Sequence, residues 1–289
     1  MEIPGDMEIR KIKAQTVTET VKKLFMDCNY FIGDDITQAL EQARECEQSS
    51  VGKTVLSQLL ENNAIAAKEQ IPLCQDTGMA VLFVEYGDKV AIEGGSFQDA
   101  VEQGVRQAYE QGYLRKSVVA DPVFDRVNTK DNTPAVIHTQ IVSGNGITFL
   151  AGGKGFGSEN MSAIKMLTPS YGVEGVKQFV LDVVRQAGPN PCPPVVVGVG
   201  IGGTFEKAAQ LAKKATFRPV NTANPDRRYA QLEEELLESI NKMGFGPAGL
   251  GGTTTALGVN IETYPTHIAG MPVAVNICCH AARHKSAQL

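Results

Sequence analysis

Nowhere in this 289-residue chain does an apolar run approach the length of a membrane span, so a bilayer is not an expected partner. Blocks of one charge are equally lacking. The net charge of -5 arises from mixed residues spread along the chain, with no basic cluster and no acidic tail, which argues against a nucleic-acid partner. The opening stretch, Met1 to Lys13, alternates charged and apolar residues and has no secretory apolar core, so a cytoplasmic location is expected. Six cysteines in so long a chain do not make a small disulfide scaffold. Thiols are the expectation, with metal or cluster ligation open to some of them. There is also no internal repeat, no low-complexity linker and no legible domain boundary.

What is present is a globular composition: 43% hydrophobic, 20% charged, 29 glycines and 14 prolines. The length allows one large domain or two lobes. Apolar positions Ile36, Ala39, Leu40, Ala43 and Cys46 recur at helical spacing, which predicts a helix from Asp35 with Cys46 in the core. A second helix is predicted over about 51–68, a buried strand over 79–86, and a helix from the Ser96/Asp99 capping box to about Gln111. Strands over 135–142 and 147–151 flank Asn145-Gly146, a hairpin signal, and lead into a loop at Gly152 to Gly157. A helix is expected from near Ser158, another over 173–187 stopped by Gly188, a strand over 195–199, and a helix over 204–215. Asp226 caps a long helix ending at Gly244; a glycine-rich loop and strands over 256–262 and 271–277 follow. The fold class is α+β, with mixed sheet elements surrounded by helices.

The run Val195 to Thr204 satisfies G-x-G-x-x-G at Gly198, Gly200 and Gly203 between a strand and a helix. A dinucleotide site would need a second strand ending in an acidic residue, but turn formers follow Ala215. Glycines that let a helix pack closely on a sheet explain the run at least as well. Gly152 to Asn160, with four glycines and Lys154, has amides able to hold a carboxylate or phosphate, or is an ordinary tight connection. It lacks the Gly-Lys-Ser/Thr ending of a P-loop.

The cysteines divide by neighbourhood. Cys28 and Cys46 lie in helical patterns and read as small buried hydrophobes. Cys74 sits in the polar loop Pro-Leu-Cys-Gln-Asp-Thr-Gly, Cys192 between prolines that should hold the backbone extended, and Cys279 at a strand end beside His280. Cys278 should point to the opposite face from Cys279. Three loop cysteines 118 and 87 residues apart are no local ferredoxin-type run. An odd number of thiolates would nonetheless suit a cubane with one open iron. His267, in a loop beside Pro265 and Gly270, is a better site candidate than His138 within a strand. Arg115, following a helix, is able to pair bidentately with a carboxylate, although a lone arginine is usually a surface residue.

Four blocks together resemble a known family: Pro72 to Gly78, Lys154 to Asn160, Cys192-Pro-Pro with Gly198 to Thr204, and Gly251 to His284. From about Lys11 onward the chain is similar to the alpha subunit, or N-terminal half, of class I fumarate hydratases and the related tartrate dehydratases. The resemblance implies a 4Fe-4S cluster held by Cys74, Cys192 and Cys279, with Asp76 as the catalytic acid-base group. It implies substrate contacts from Gln75, Arg115, Gly155 and His267, and reversible hydration of fumarate to L-malate. Residues 1–289 would form one alpha-subunit (N-terminal catalytic) domain. Cys278 stands where the family has no cysteine, and Phe156 where it has a glycine, so Gly155 and Gly157 remain the usable close-approach positions.

Single-chain members of that family continue into a second domain carrying further arginines, a lysine and a hydroxyl. The resemblance therefore implies a separate beta subunit, a heterotetramer, and no turnover by this chain alone. The rival readings are an L-tartrate dehydratase with the same cluster, a non-enzymatic iron-sulfur module in which Cys278 closes the fourth corner, and, third, a nucleotide-binding enzyme.

Overall fold

The computed structural model describes residues 9–289; the part of the Met1–Lys13 reading that precedes residue 9 lies outside the described residues. Strand β1 (Arg10–Lys13) leads into helix α1 (Ala14–Tyr30), which buries Val17, Val21, Leu24, Phe25 and Cys28 at helical spacing. Helices α2 (Asp34–Cys46) and α3 (Ser50–Glu69) follow, then strands β2 (Met79–Gly87) and β3 (Val90–Glu93). Ser96 caps α4 (Phe97–Gln111) by accepting the Asp99 amide at 3.0 Å. Next come β4 (Val136–Val142), β5 (Ile147–Lys154), the single turn α5 (Phe156–Glu159), β6 (Ala163–Leu167) and α6 (Gly172–Ala187). The chain closes with β7 (Val195–Gly202), α7 (Phe205–Ala215), α8 (Arg227–Asn241), β8 (Ala256–Tyr264), β9 (Met271–Cys278) and β10 (Lys285–Gln288). This is an α+β protein with mixed sheets. Among the described residues no helix is long and apolar enough to cross a membrane.

Two compact units form. The first takes the chain up to Phe31, Ala66–Lys154 and Arg283–Leu289; the second takes Ile32–Ile65 and Gly155–Ala282. In the first, a sheet of order β10-β5-β2-β4 is covered by α1 and α4, and Val21, Phe25, Leu82, Val105, Tyr109 and Phe149 share its core. In the second, the sheet order is β6-β9-β7-β8, with β7 parallel to β8 and antiparallel to β9. Valines of α6 and leucines of α8 pack on one face of that sheet, and Ala208 and Ala212 of α7 on the other.

Some sequence expectations need correcting. β4 and β5 are not a hairpin: β2 lies between them, parallel to β4 and antiparallel to β5. The turn at Asn145-Gly146 instead arches over the end of β2, where Gly87 and Lys89 donate to the carbonyls of Gly146 and Gly144, both at 2.9 Å. Gly152 and Gly153 belong to β5 rather than to a loop, and the helix at Ser158 is one turn long before β6 begins. Cys46 is exposed at the end of α2, whereas Cys28 is buried as expected.

The Gly198 to Thr204 run has the bland explanation. A Cβ on Gly198 would lie 2.2 Å from the Ala212 carbonyl oxygen, and one on Gly200 would lie 2.1 Å from that of Ala208. The two glycines let α7 lie directly on β7. Gly202 and Gly203 have φ of +95° and +69°, and close the strand where the Gly203 amide donates to the Pro265 carbonyl at 3.2 Å.

Candidate active site and metal centre

In the first unit, Cys74, Gln75 and Asp76 occupy the turn between α3 and β2. The Leu73 amide donates to the Asn29 carbonyl at 2.9 Å, which fixes the start of the turn, and the Gly78 amide donates to Asp76 Oδ1 at 3.0 Å, which closes it. Tyr109 of α4 donates its buried hydroxyl to the carbonyls of Thr77 (3.2 Å) and Gly78 (2.8 Å), and Asn132 Nδ2 also donates to Gly78 at 3.2 Å. Burial pushes the Tyr109 phenol up, so it remains a donor. Gly78 has φ +79°, and a Cβ there would lie 2.5 Å from the Lys154 backbone, so this position admits only glycine.

This scaffold leaves Gln75 exposed and Cys74 and Asp76 half-buried. Thr77 donates its hydroxyl to the Arg115 carbonyl at 3.1 Å, bringing the exposed Arg115 segment beside the same turn. The structure therefore unites Cys74, Gln75, Asp76 and Arg115. Cys28, by contrast, is a core thiol: burial pushes it up to about 11, against the opposing charge of Arg283.

In the second unit, Cys192 and Cys279 are neighbours. Cys192 precedes β7 and Cys279 follows β9; the two strands pair with Val196 opposite Cys278, and the His280 amide donates to the Cys192 carbonyl at 3.4 Å. Cys192 is exposed, and its backbone is not extended: φ is +55°, in a turn where its amide meets the Pro189 carbonyl at 3.2 Å. A non-glycine residue held in this region marks a position the surroundings dictate. Cys278 faces the opposite side, buried among Ile36, Leu40, Leu56 and Val196.

Gly155 joins this end of the sheet. It is the N-cap of α5, and Asn276 of β9 donates from Nδ2 to Glu159 Oε2 and to Ser162 Oγ, both at 2.9 Å. Phe156 is 45% exposed and needs no close backbone approach. His267 is elsewhere. It lies in the exposed β8–β9 loop, pinned by the Thr266 hydroxyl to the Gly203 carbonyl at 2.9 Å, at the far end of β7 from Cys192. Eight residues of strand put about 25 Å between the two ends. The Ala269 amide donates to His267 Nδ1 at 3.2 Å, which leaves Nε2 as the outward nitrogen.

Among the described residues no three His, Cys, Asp or Glu side chains are gathered to hold one metal ion. A cubane makes a different demand, because each thiolate meets a different iron and the sulfurs stand wider apart. All six cysteines are thiols rather than disulfide halves, and the three on turns are the accessible or half-accessible ones apart from Cys46. Free thiols on turns are the donor chemistry that such a cluster takes.

The family described as fumarate hydratase (fumerase) matches residues 18–288. The chain belongs to the fumarate hydratase family. A Methanocaldococcus jannaschii protein with the provisional name L(+)-tartrate dehydratase subunit alpha is 42% identical over 92% of this chain and 95% of its own. The L(+)-tartrate dehydratase alpha subunits of Escherichia coli K12 and Shigella boydii are each 35% identical, over 92% of this chain and 88% of theirs. Membership places the chain among hydro-lyase enzymes, which the nucleotide-binding reading does not accommodate. Sequence reasoning missed the scaffold of the Cys74 turn: Asn29, Tyr109, Asn132 and Arg283. Only Arg283 lay within a block already singled out.

Proposed function

We propose that this chain is the alpha subunit of a two-subunit hydro-lyase that adds water reversibly to a four-carbon dicarboxylate at a 4Fe-4S cluster held by Cys74, Cys192 and Cys279. The observation that carries the reading is the pairing of β7 with β9, which sets Cys192 beside Cys279 while Cys278 is turned into the core. Cys74 is the third ligand on the strength of its Pro72 to Gly78 block, whose turn is braced within its own unit by Arg283, which donates to the Asp76 carbonyl at 2.8 Å. Three thiolates leave one iron without a protein ligand. The bound cluster would supply a Lewis acid there for a substrate oxygen.

The protein groups do the rest. Arg115 presents a guanidinium beside the turn and pairs with a substrate carboxylate. Gln75 adds an amide to fix orientation, and the Gly155 segment lets the substrate approach backbone. Asp76 takes or gives the proton as water adds across the double bond. His267 reaches a site at the other end of its sheet only from a neighbouring copy of the chain, in keeping with a heterotetramer. The remaining cationic and hydroxyl groups come from the beta subunit, and a cytoplasmic location suits an iron centre open to substrate.

Fumarate and L-malate are the first substrate pair. L(+)-tartrate is the second reading, favoured by the names of the relatives. The test is anaerobic co-expression with the beta subunit, then assay of the assembly on fumarate and on L(+)-tartrate. Turnover of one of them by the assembly and of neither by this chain alone is the expected result; turnover by the isolated chain overturns the subunit reading.

A further inference from the structure

Arg283 is 2% exposed, and both of its hydrogen bonds go to neutral oxygens. Nη1 donates to Oδ1 of Asn29 at 3.0 Å, Nη2 donates to the backbone carbonyl of Asp76 at 2.8 Å, and Nε is buried with no partner. Among the described residues no carboxylate forms an ion pair with it. A cation withdrawn from water costs free energy, and an ion pair or full hydrogen bonding is the usual compensation. Here that compensation is incomplete, so stability alone does not account for the residue.

Its geometry does. The guanidinium is a rigid planar fork, and its two tines end on different segments: the last turn of α1 and the middle of the 73–78 turn. Asn29 itself is held in place. It is fully buried, its Nδ2 donates to the Phe25 carbonyl at 2.9 Å, and its own carbonyl accepts the Leu73 amide at 2.9 Å. One end of the fork thus rests on a packed helix, and the other fixes the carbonyl of the residue between Gln75 and Thr77.

We infer that Arg283 is a positioning residue that sets the backbone of Asp76, and with it the side chains of Cys74 and Gln75, by bridging that carbonyl to Asn29. The inference rests on the proposed hydratase reading for its consequence in catalysis, but its structural content stands apart from it. Lysine keeps the charge and loses the fork, so Arg283→Lys separates charge from geometry.

The experiment has two arms on the two-subunit protein. In the first, amide hydrogen exchange is followed for peptides covering 73–78 and for α4 of the same unit. Arg283→Lys is expected to speed exchange at 73–78 by about tenfold while α4 stays as in the parent, the signature of local loosening rather than unit-wide unfolding. In the second, kcat is expected to fall by about 10- to 100-fold with KM within about threefold, because displacement of an acid-base group costs the chemical step more than binding. If Arg283→Lys does not fold, Asn29→Ala, which removes the anchor but keeps the Asn29 backbone bond to Leu73, is expected to give the same local exchange effect.

Unchanged exchange at 73–78, or equal acceleration across α4, overturns the inference. A raised KM with kcat preserved does so as well. An assembly that hydrates no dicarboxylate but still shows the local exchange effect overturns the hydratase reading and leaves the bridge standing.

Discussion

The His280 amide donates to the Cys192 carbonyl at 3.4 Å, so two cysteines far apart in sequence leave the backbone side by side at one end of the β7–β9 pair. The strand pairing, rather than any local motif, brings the thiols together. Iron content should therefore follow these positions and not cysteine number. In anaerobically purified protein, Cys74→Ser, Cys192→Ser and Cys279→Ser are each expected to lose most of the bound iron, while exposed Cys46→Ser keeps it. Cys278→Ala is expected to keep its iron too and to lose about 1 kcal/mol of stability from the core it fills. Iron analysis and a denaturant melt of the five variants check both statements, and iron loss in Cys278→Ala would instead favour a closed four-ligand cluster.

Asp76 Oδ1 accepts the Gly78 amide at 3.0 Å, a bond that an asparagine Oδ1 can also accept, so Asp76→Asn removes the acid-base group and keeps the turn. Asp76→Asn is expected to lower kcat by about 10²- to 10⁴-fold, the range for loss of a general acid-base group, with iron content unchanged. Steady-state kinetics beside iron analysis would show this.

His267 and Asp76 provide a test of assembly. Alpha chains carrying Asp76→Asn and His267→Ala are each expected to be poorly active when expressed alone with the beta subunit. Co-expressed, they are expected to form mixed assemblies with one intact site and regain activity above either parent. Absence of any gain would place His267 outside the active site.

A carboxylate in the second unit predicts acid behaviour. Glu47 is fully buried, which by itself raises its pKa, but amides of Ser49, Thr253 and Thr254 outweigh burial and hold it at about 2. Its Oε1 accepts the Thr253 amide at 2.8 Å and its Oε2 the Thr254 amide at 2.8 Å, tying the end of α2 to the loop before β8. A depressed folded-state pKa contributes stability that is present above the unfolded value near 4.5 and lost as pH falls toward 2. That contribution is on the order of 3 kcal/mol. Glu47→Gln is expected to lower stability at neutral pH and to flatten its dependence between those two values, as read by denaturant melts across the range.

Much of this was legible from residue spacing. The caps at Asp226 and Ser96 and the stop at Gly188 are local signals, and the helices appear where they indicate. The turn signal at Asn145-Gly146 was equally local and misled, because strand order depends on β2, more than fifty residues earlier in the chain. Cys46 satisfied the helical period but sits in the last position of α2, where the stripe runs out into solvent. For the site, the turn at Cys74 was readable from its residue types. The neighbourhood of Cys192 and Cys279, the fork of Arg283 and the distance of His267 were not, since each is set by strand register or tertiary contact. The glycines of β7 were readable as packing glycines, and Gly200→Ala is expected to cost on the order of 3 kcal/mol by driving a methyl into the Ala208 carbonyl; a thermal melt measures it.

A cluster with one iron open to substrate is tested most directly by Mössbauer spectroscopy of the anaerobic, iron-57-labelled two-subunit assembly. On adding the dicarboxylate substrate, one iron of each cluster is predicted to change its signal while the other three keep theirs. Metal-free protein, or a cluster whose four irons are all indifferent to substrate, would rule out an open iron.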